Sequence, residues 1–107
     1  MQVPEEFVQI DGFPNYFVSN YGRVVNARYD RELTPNLDKN GYMRVCLSRH
    51  GEPYFFMVHR LVAAYFLDDY DEEIEVKHHN GDLTDCGILN LYMGEKGARQ
   101  REKELPR

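Results

Sequence analysis

The sequence predicts an α+β fold: a small antiparallel β-sheet followed by a helix, a β-hairpin and a C-terminal helix. Three observations carry this. Short apolar stretches separated by Gly, Pro and Asn fill the first half, and the apolar period lengthens abruptly at HRLVAAYFL. A charged stretch, EKGARQREKEL, then closes the chain. At 107 residues, 42% hydrophobic and 29% charged, the chain sits within the range of one domain with a modest core.

The strands come first. Phe7, Val8 and Ile10 lead into DGFPNY, where Asp-Gly and Pro-Asn mark a turn, and YFVSNYGRVVN offers two strands about an Asn-Tyr-Gly turn. The polar segment from Arg31 to Asn40, with Pro35 inside it, reads as a loop. In GYMRVCLSRHGEPYFFMV, Tyr42, Arg44, Cys46 and Ser48 alternate with Met43, Val45 and Leu47, and a His-Gly turn precedes the return strand.

Leu61, Val62, Tyr65 and Phe66 then recur at helical spacing, which predicts a helix from about His59 to Leu67. EVKHH reads as a strand, NGDLTDCGI as a loop and LNLYM as the returning strand. A division at 55/56 separates an N-terminal β module, 1–55, from a helix–hairpin–helix module, 56–107, packed as one unit.

Charge is uneven. The net charge of −5 is awkward for a nucleic-acid binder, whose affinity rests largely on Lys and Arg contacts to phosphate. Yet residues 1–67 balance seven bases against seven acids, and 76–107 carry six bases against five acids. The excess belongs to LDDYDEEIEV, with Asp68, Asp69, Asp71, Glu72, Glu73 and Glu75 and no base. This run is read as a solvated loop, as a surface that captures a basic protein, or as a cation collector.

The longest apolar run, LVAAYFL, is far shorter than the roughly 20 residues of a membrane span. No basic-then-apolar leader precedes the first strand. The chain therefore reads as soluble and cytoplasmic. Cys46 and Cys86 are single and far apart, as expected of buried, reduced thiols. The aromatics Tyr16, Phe17, Tyr42, Tyr54, Phe55, Phe56, Tyr65 and Phe66 are expected in the core.

The pattern FVQIDGFPNYFVSNYGRVVN through LTPNLDKNGYMRVCL resembles the nuclease-associated module that precedes the catalytic domain of phage and intron homing endonucleases. VHRLVAAYFL, VKHHNGD and LNLYM resemble the HNH domain, of the ββα-metal fold. Together these stretches span about Phe7 to Arg101. The resemblance implies DNA phosphodiester hydrolysis in a phage-infected host cytoplasm, with double-stranded DNA as partner and Mg²⁺ as cofactor.

It also assigns roles. His78 takes the position of the general base, a task suited to imidazole because it titrates near neutrality. Asn90 takes that of the asparagine that orients the base. The family's two metal-ligand positions fall on Lys77 and Arg99, and neither side chain offers an oxygen to a hard cation.

Three arrangements answer that departure. Asp82 or Asp85 holds the ion, or His79 does so with Glu95, or no ion is held and Lys77 and Arg99 offset charge on the phosphate. A homodimer would supply ligands in trans. Arg23, Arg44 and Arg60, with Arg49, are candidates for phosphate contact, against an ordinary charged surface. His59 is read as packing and His50 as inert.

Homing endonucleases commonly carry a further DNA-binding region beyond the catalytic helix, and these 107 residues end at that helix. Two functions therefore stand side by side. One is an HNH endonuclease with an unusual cation site. The other is an inactive HNH-fold protein that needs no cofactor and inhibits a basic host nuclease or defence protein through its acidic surface.

Overall fold

A computed structural model describes residues 3–95. The predicted C-terminal helix from about Glu95, and with it Arg99, lies outside these residues. What is described is mostly antiparallel strand with one α-helix, as the apolar pattern anticipates.

The N-terminal strands form two sheets rather than one, and the predicted hairpin forms a third. β1 (Phe7–Ile10), β2 (Phe13–Ser19), β3 (Val24–Asn26) and β4 (Arg31–Glu32) make a four-stranded antiparallel meander. β5 (Asn36–Leu37), β6 (Met43–Arg49) and β7 (Glu52–Met57) make a second sheet, and β8 (Val76–His78) pairs with β9 (Leu91–Met93) in a third. The predicted loop from Arg31 to Asn40 thus holds two two-residue strands. Such pairs are too short to announce themselves by alternation.

Alternation in β6 works as expected. Val45 and Leu47 are buried, and Cys46 and Ser48 face outward. Opposite Cys46 stands Phe55, so both lie on the open side of the sheet. Cys46 is therefore exposed, contrary to the expectation for a lone thiol, and Phe55 is exposed beneath the Arg44 guanidinium, 4.6 Å from its ring centre. Phe13, by contrast, packs edge-on against Tyr16, Tyr54 and Phe56, and the Tyr16 hydroxyl accepts the Ser48 N–H.

The proposed 55/56 junction falls inside β7, and α1 (Val58–Phe66) follows that strand directly. Val58, Leu61, Val62 and Ala63 bury one face of α1 against the strands. Its Tyr65 hydroxyl accepts the Asp11 N–H, which ties the helix to the β1–β2 turn.

The turn after β2 joins the meander to the hairpin. The buried Asn20 side chain accepts the Glu6 N–H and donates to the Pro4 carbonyl, while its own carbonyl accepts the Ile88 N–H at 2.7 Å. Beside it, Gly22 has φ +88°, and a Cβ there would lie 3.1 Å from backbone and side-chain atoms of Cys86. Gly51 has a similar φ of +77° with open space around it. Gly22→Ala is therefore expected to cost about 1–2 kcal/mol of backbone strain plus a contact penalty, whereas Gly51→Ala costs the strain alone. Urea denaturation of the two variants should show Gly22→Ala to be the more destabilised.

Candidate active site

β8 and β9 set the site by strict alternation. The register Val76↔Met93, Lys77↔Tyr92, His78↔Leu91 sends Val76, His78 and Leu91 inward and Lys77, Tyr92 and His79 outward. His79 stacks on Tyr92 with ring centres 4.3 Å apart, on the opposite face from His78.

The His78 ring meets α1. His59 lies 5.1 Å away, centre to centre, and is itself stacked on Tyr42 at 4.9 Å. His78 Nε2 and His59 Nδ1 are both buried without a hydrogen-bond partner. Burial, reinforced by His78 and then Arg60, pushes the His59 pKa down to about 4, against the opposing pull of Asp38. Burial also lowers His78, opposed by Asp85 and Asp82. Both rings are consequently neutral at pH 7, the state a proton acceptor requires.

Asn90 closes the single 3-10 turn Ile88–Asn90 just before β9, one step before the strand in which the sequence places it. Its amide nitrogen donates to Asn80 Oδ1 at 3.0 Å and to the Asp85 carbonyl at 2.9 Å, while its Oδ1 accepts the Asn80 N–H at 3.2 Å. The Asn90 carbonyl accepts the His79 N–H. None of these bonds goes to the imidazole itself. Asn90 clamps the loop that leaves His78.

That loop is otherwise built from its own polar side chains. Asp82 Oδ1 accepts the Thr84 N–H and hydroxyl, which hold its carboxyl below the usual range, the hydroxyl most strongly. Asp85 accepts the Asn80 amide. Cys86 is buried beneath, and burial raises its thiol pKa to about 12, which makes it inert.

Among the described residues, no three His, Cys, Asp or Glu side chains converge as a metal shell. His79 faces away from His78, and the Lys77 ammonium has no lone pair to offer. The described residues by themselves do not form a shell for a divalent cation.

The arginines are largely engaged within the chain. Arg23 forms ion pairs with Glu5 at 2.8 Å and Glu32 at 3.1 Å, and hydrogen bonds to both hold its pKa up. Arg49 donates to the Gly12 carbonyl and lies over Phe13 and Tyr54. Arg60 donates to the Ile74 and Glu72 carbonyls and to the Tyr70 hydroxyl. The expectation of phosphate-facing roles for Arg23 and Arg60 gives way here to structural ones, with Arg60 pinning the acidic segment to α1. Asp68, Asp69, Asp71, Glu72 and Glu73 are exposed along that segment, and Glu75 is half-buried.

Sequence reasoning missed the pairing of His59 and Tyr42 with His78. A signal was present, since His59 lies three and four residues before the buried Val62 and Ala63 and so shares the inward face of α1.

A β module leading through one helix into a histidine-bearing hairpin defines a nuclease-like α+β protein, and comparison with known proteins agrees. The family model for the NUMOD4 motif matches residues 5–48. DNA endonuclease I-HmuI of Bacillus phage SP01 is 36% identical over 87 residues, covering 80% of this chain and 50% of that protein. H-N-H endonuclease F-TflII of Escherichia phage T5 is 31% identical over 94 residues, covering 86% and 49%. The solved structure of the HNH homing endonuclease I-HmuI, described as binding and cleaving DNA, superposes with a TM-score of 0.79 at 33% identity, over 86% of this chain and 53% of that one. The chain belongs to the phage HNH homing-endonuclease family and carries its N-terminal nuclease-associated module. It spans about half the length of these relatives. No described helix is long and apolar enough to cross a membrane.

Two outcomes follow from this geometry. Asn90→Ala removes two donations and leaves the Asn80 N–H without its acceptor, which should cost about 1–3 kcal/mol in urea denaturation and speed amide exchange at Asn80. Secondly, a histidine that titrates near 4 when folded and near 6.5 when unfolded binds its proton more readily in the unfolded chain. Its stabilising contribution is present above pH 6.5 and lost as pH falls toward 4, on the order of 2–3 kcal/mol. Denaturation followed across that range should show the loss, and His59→Phe should flatten it.

Proposed function

We propose that this chain is an HNH endonuclease that hydrolyses phosphodiesters of double-stranded DNA, with His78 as general base. The observation supporting this most directly is the state of His78. Its ring is neutral, its Nε2 is buried, and it sits at the mouth of a loop clamped by Asn90. In this reading a water beside Nδ1, the ring's other nitrogen, gives its proton to the imidazole while its oxygen bonds to phosphorus and the bond to the leaving ester oxygen breaks. Asn90 serves as a positioning residue through the loop.

Charge on the phosphate is the second requirement. Lys77 and Arg99 occupy the family's ligand positions, so in this reading they offset that charge themselves or leave the ion to Asp82 and Asp85. A second copy supplying ligands in trans is a further way to complete the site. The NUMOD4-like strands and Arg44, whose guanidinium lies over Phe55 and whose Nε has no hydrogen-bond partner among the described residues, form the DNA-facing module. The site of action is the infected host's cytoplasm.

A second reading has its own observation. The acid run from Asp68 to Glu73 is exposed and is held in shape by Arg60. A basic host protein captured there would make the chain an inhibitor in which His78 is idle.

Nicking of supercoiled plasmid separates the two. Nuclease activity predicts cutting by the purified protein that falls by about 10²–10⁴ in His78→Ala. Loss of cutting in EDTA assigns an ion to the site, and cutting that survives EDTA assigns the charge to Lys77 and Arg99. No cutting with Mg²⁺, with Mn²⁺ or without metal overturns the nuclease reading.

A further inference from the structure

Two buried nitrogens without partners, on neighbouring rings, are a strained combination. Buried polar atoms in folded proteins are nearly always hydrogen-bonded. His59 is 6% exposed, and its Nδ1 and the Nε2 of His78 are both orphaned. One hydrogen bond between them would satisfy both.

The spacing fits. Two imidazoles that share an N–H···N bond of about 2.9 Å have ring centres about 5 Å apart. The centres of His59 and His78 are 5.1 Å apart, with planes inclined at 49°. The bond is not made in the structure, and forming it requires the rings to turn toward one another about χ2, a soft torsion for histidine.

Chemistry fixes the direction. A base that accepts a proton at Nδ1 must carry its own proton on Nε2, so the buried atom of His78 is the donor. His59 must then be neutral with its lone pair on Nδ1, leaving Nε2–H as its other face. That ring also lines a small cavity of about 180 Å³ with Asp38, Tyr42 and Glu75. Asp38, whose Oδ1 accepts the Asn40 and Tyr42 N–H groups, places negative charge on that side.

We propose that His59 is a positioning residue for His78: its buried Nδ1 accepts a hydrogen bond from His78 Nε2–H and fixes the tautomer whose Nδ1 lone pair faces solvent. Tyr42, stacked on His59 and with its ring centre 6.2 Å from that of His78, holds the acceptor in place. The depressed titration of His59 agrees with a neutral acceptor. The direction of the bond and its catalytic consequence rest on the nuclease reading above, whereas the pairing of the two rings does not.

Nitrogen-15 NMR of the histidine side chains, on the intact protein at pH 7, tests the bond without reference to activity. Expected are a protonated Nε2 and bare Nδ1 on His78, a bare Nδ1 on His59, and a scalar coupling between the two nitrogens across the bond. The His78 Nε2–H should also exchange with water at least tenfold more slowly than any ring N–H of the exposed His50, and lose that protection in His59→Phe, which keeps a flat ring against Tyr42. A His78 protonated on Nδ1, or an Nε2–H whose exchange is the same in wild type and His59→Phe, would overturn the proposal. Wild-type spectra decide the question even if the variant fails to fold. If plasmid is nicked, His59→Phe should lower kcat about tenfold or more with KM little changed, and His59→Gln, which restores an acceptor, should recover part of it. Equal kcat in wild type and His59→Phe would remove the positioning role.

Discussion

The eleven-residue stretch from Asn80 to Asn90 has almost no regular structure, yet it carries the groups around the base, and one side chain holds it. The Asn90 amide uses both donor hydrogens and its oxygen within that loop, to Asn80 and Asp85. A side-chain amide suits this place because it donates and accepts at once. Aspartate there would face the Asn80 oxygen and the Asp85 carbonyl with acceptors alone. The loop in turn is fastened to the N-terminal strands through the Asn20 carbonyl and the close approach of Gly22 to Cys86. The nuclease-associated module and the hairpin are thereby one mechanical unit at this seam.

Electrostatics then separates the two faces of the hairpin. Inward, His78 is desolvated against His59 and stays neutral, with Asp82 and Asp85 moderating the effect. Outward, Lys77 lies across from Tyr92, which stacks on His79. A carboxylate at position 77 would bring a metal ligand to this strand, and a lysine brings a fixed cation instead. In the nuclease reading proposed above, the replacement keeps the sign of the charge offered to a phosphate while changing its source, from a bound ion to a side chain.

Much of this was legible in the sequence because it follows short-range rules. Alternation in MRVCL and the change of period at HRLVAAYFL located strand and helix within a residue or so, and the hairpin register placed His78 and His79 on opposite faces. The division of the N-terminal strands into two sheets where one was expected, and the two-residue strands β4 and β5, depend on tertiary pairings that no local pattern encodes. The arginines show the same limit. Arg23 and Arg60 look like phosphate ligands by type, but their partners Glu5, Glu32, Ile74 and Glu72 are chosen by tertiary proximity. Likewise the family resemblance assigns Asn90 to the site, whereas only the fold shows that its amide reaches Asn80 and Asp85.

A crystal structure of the protein with a DNA duplex tests the central claim most directly. The account predicts a phosphodiester lying against Nδ1 of His78, with the Asn80–Asn90 loop unchanged and Lys77 on the phosphate side of the hairpin. DNA seated on another face, with His78 remote from every phosphate, would contradict it.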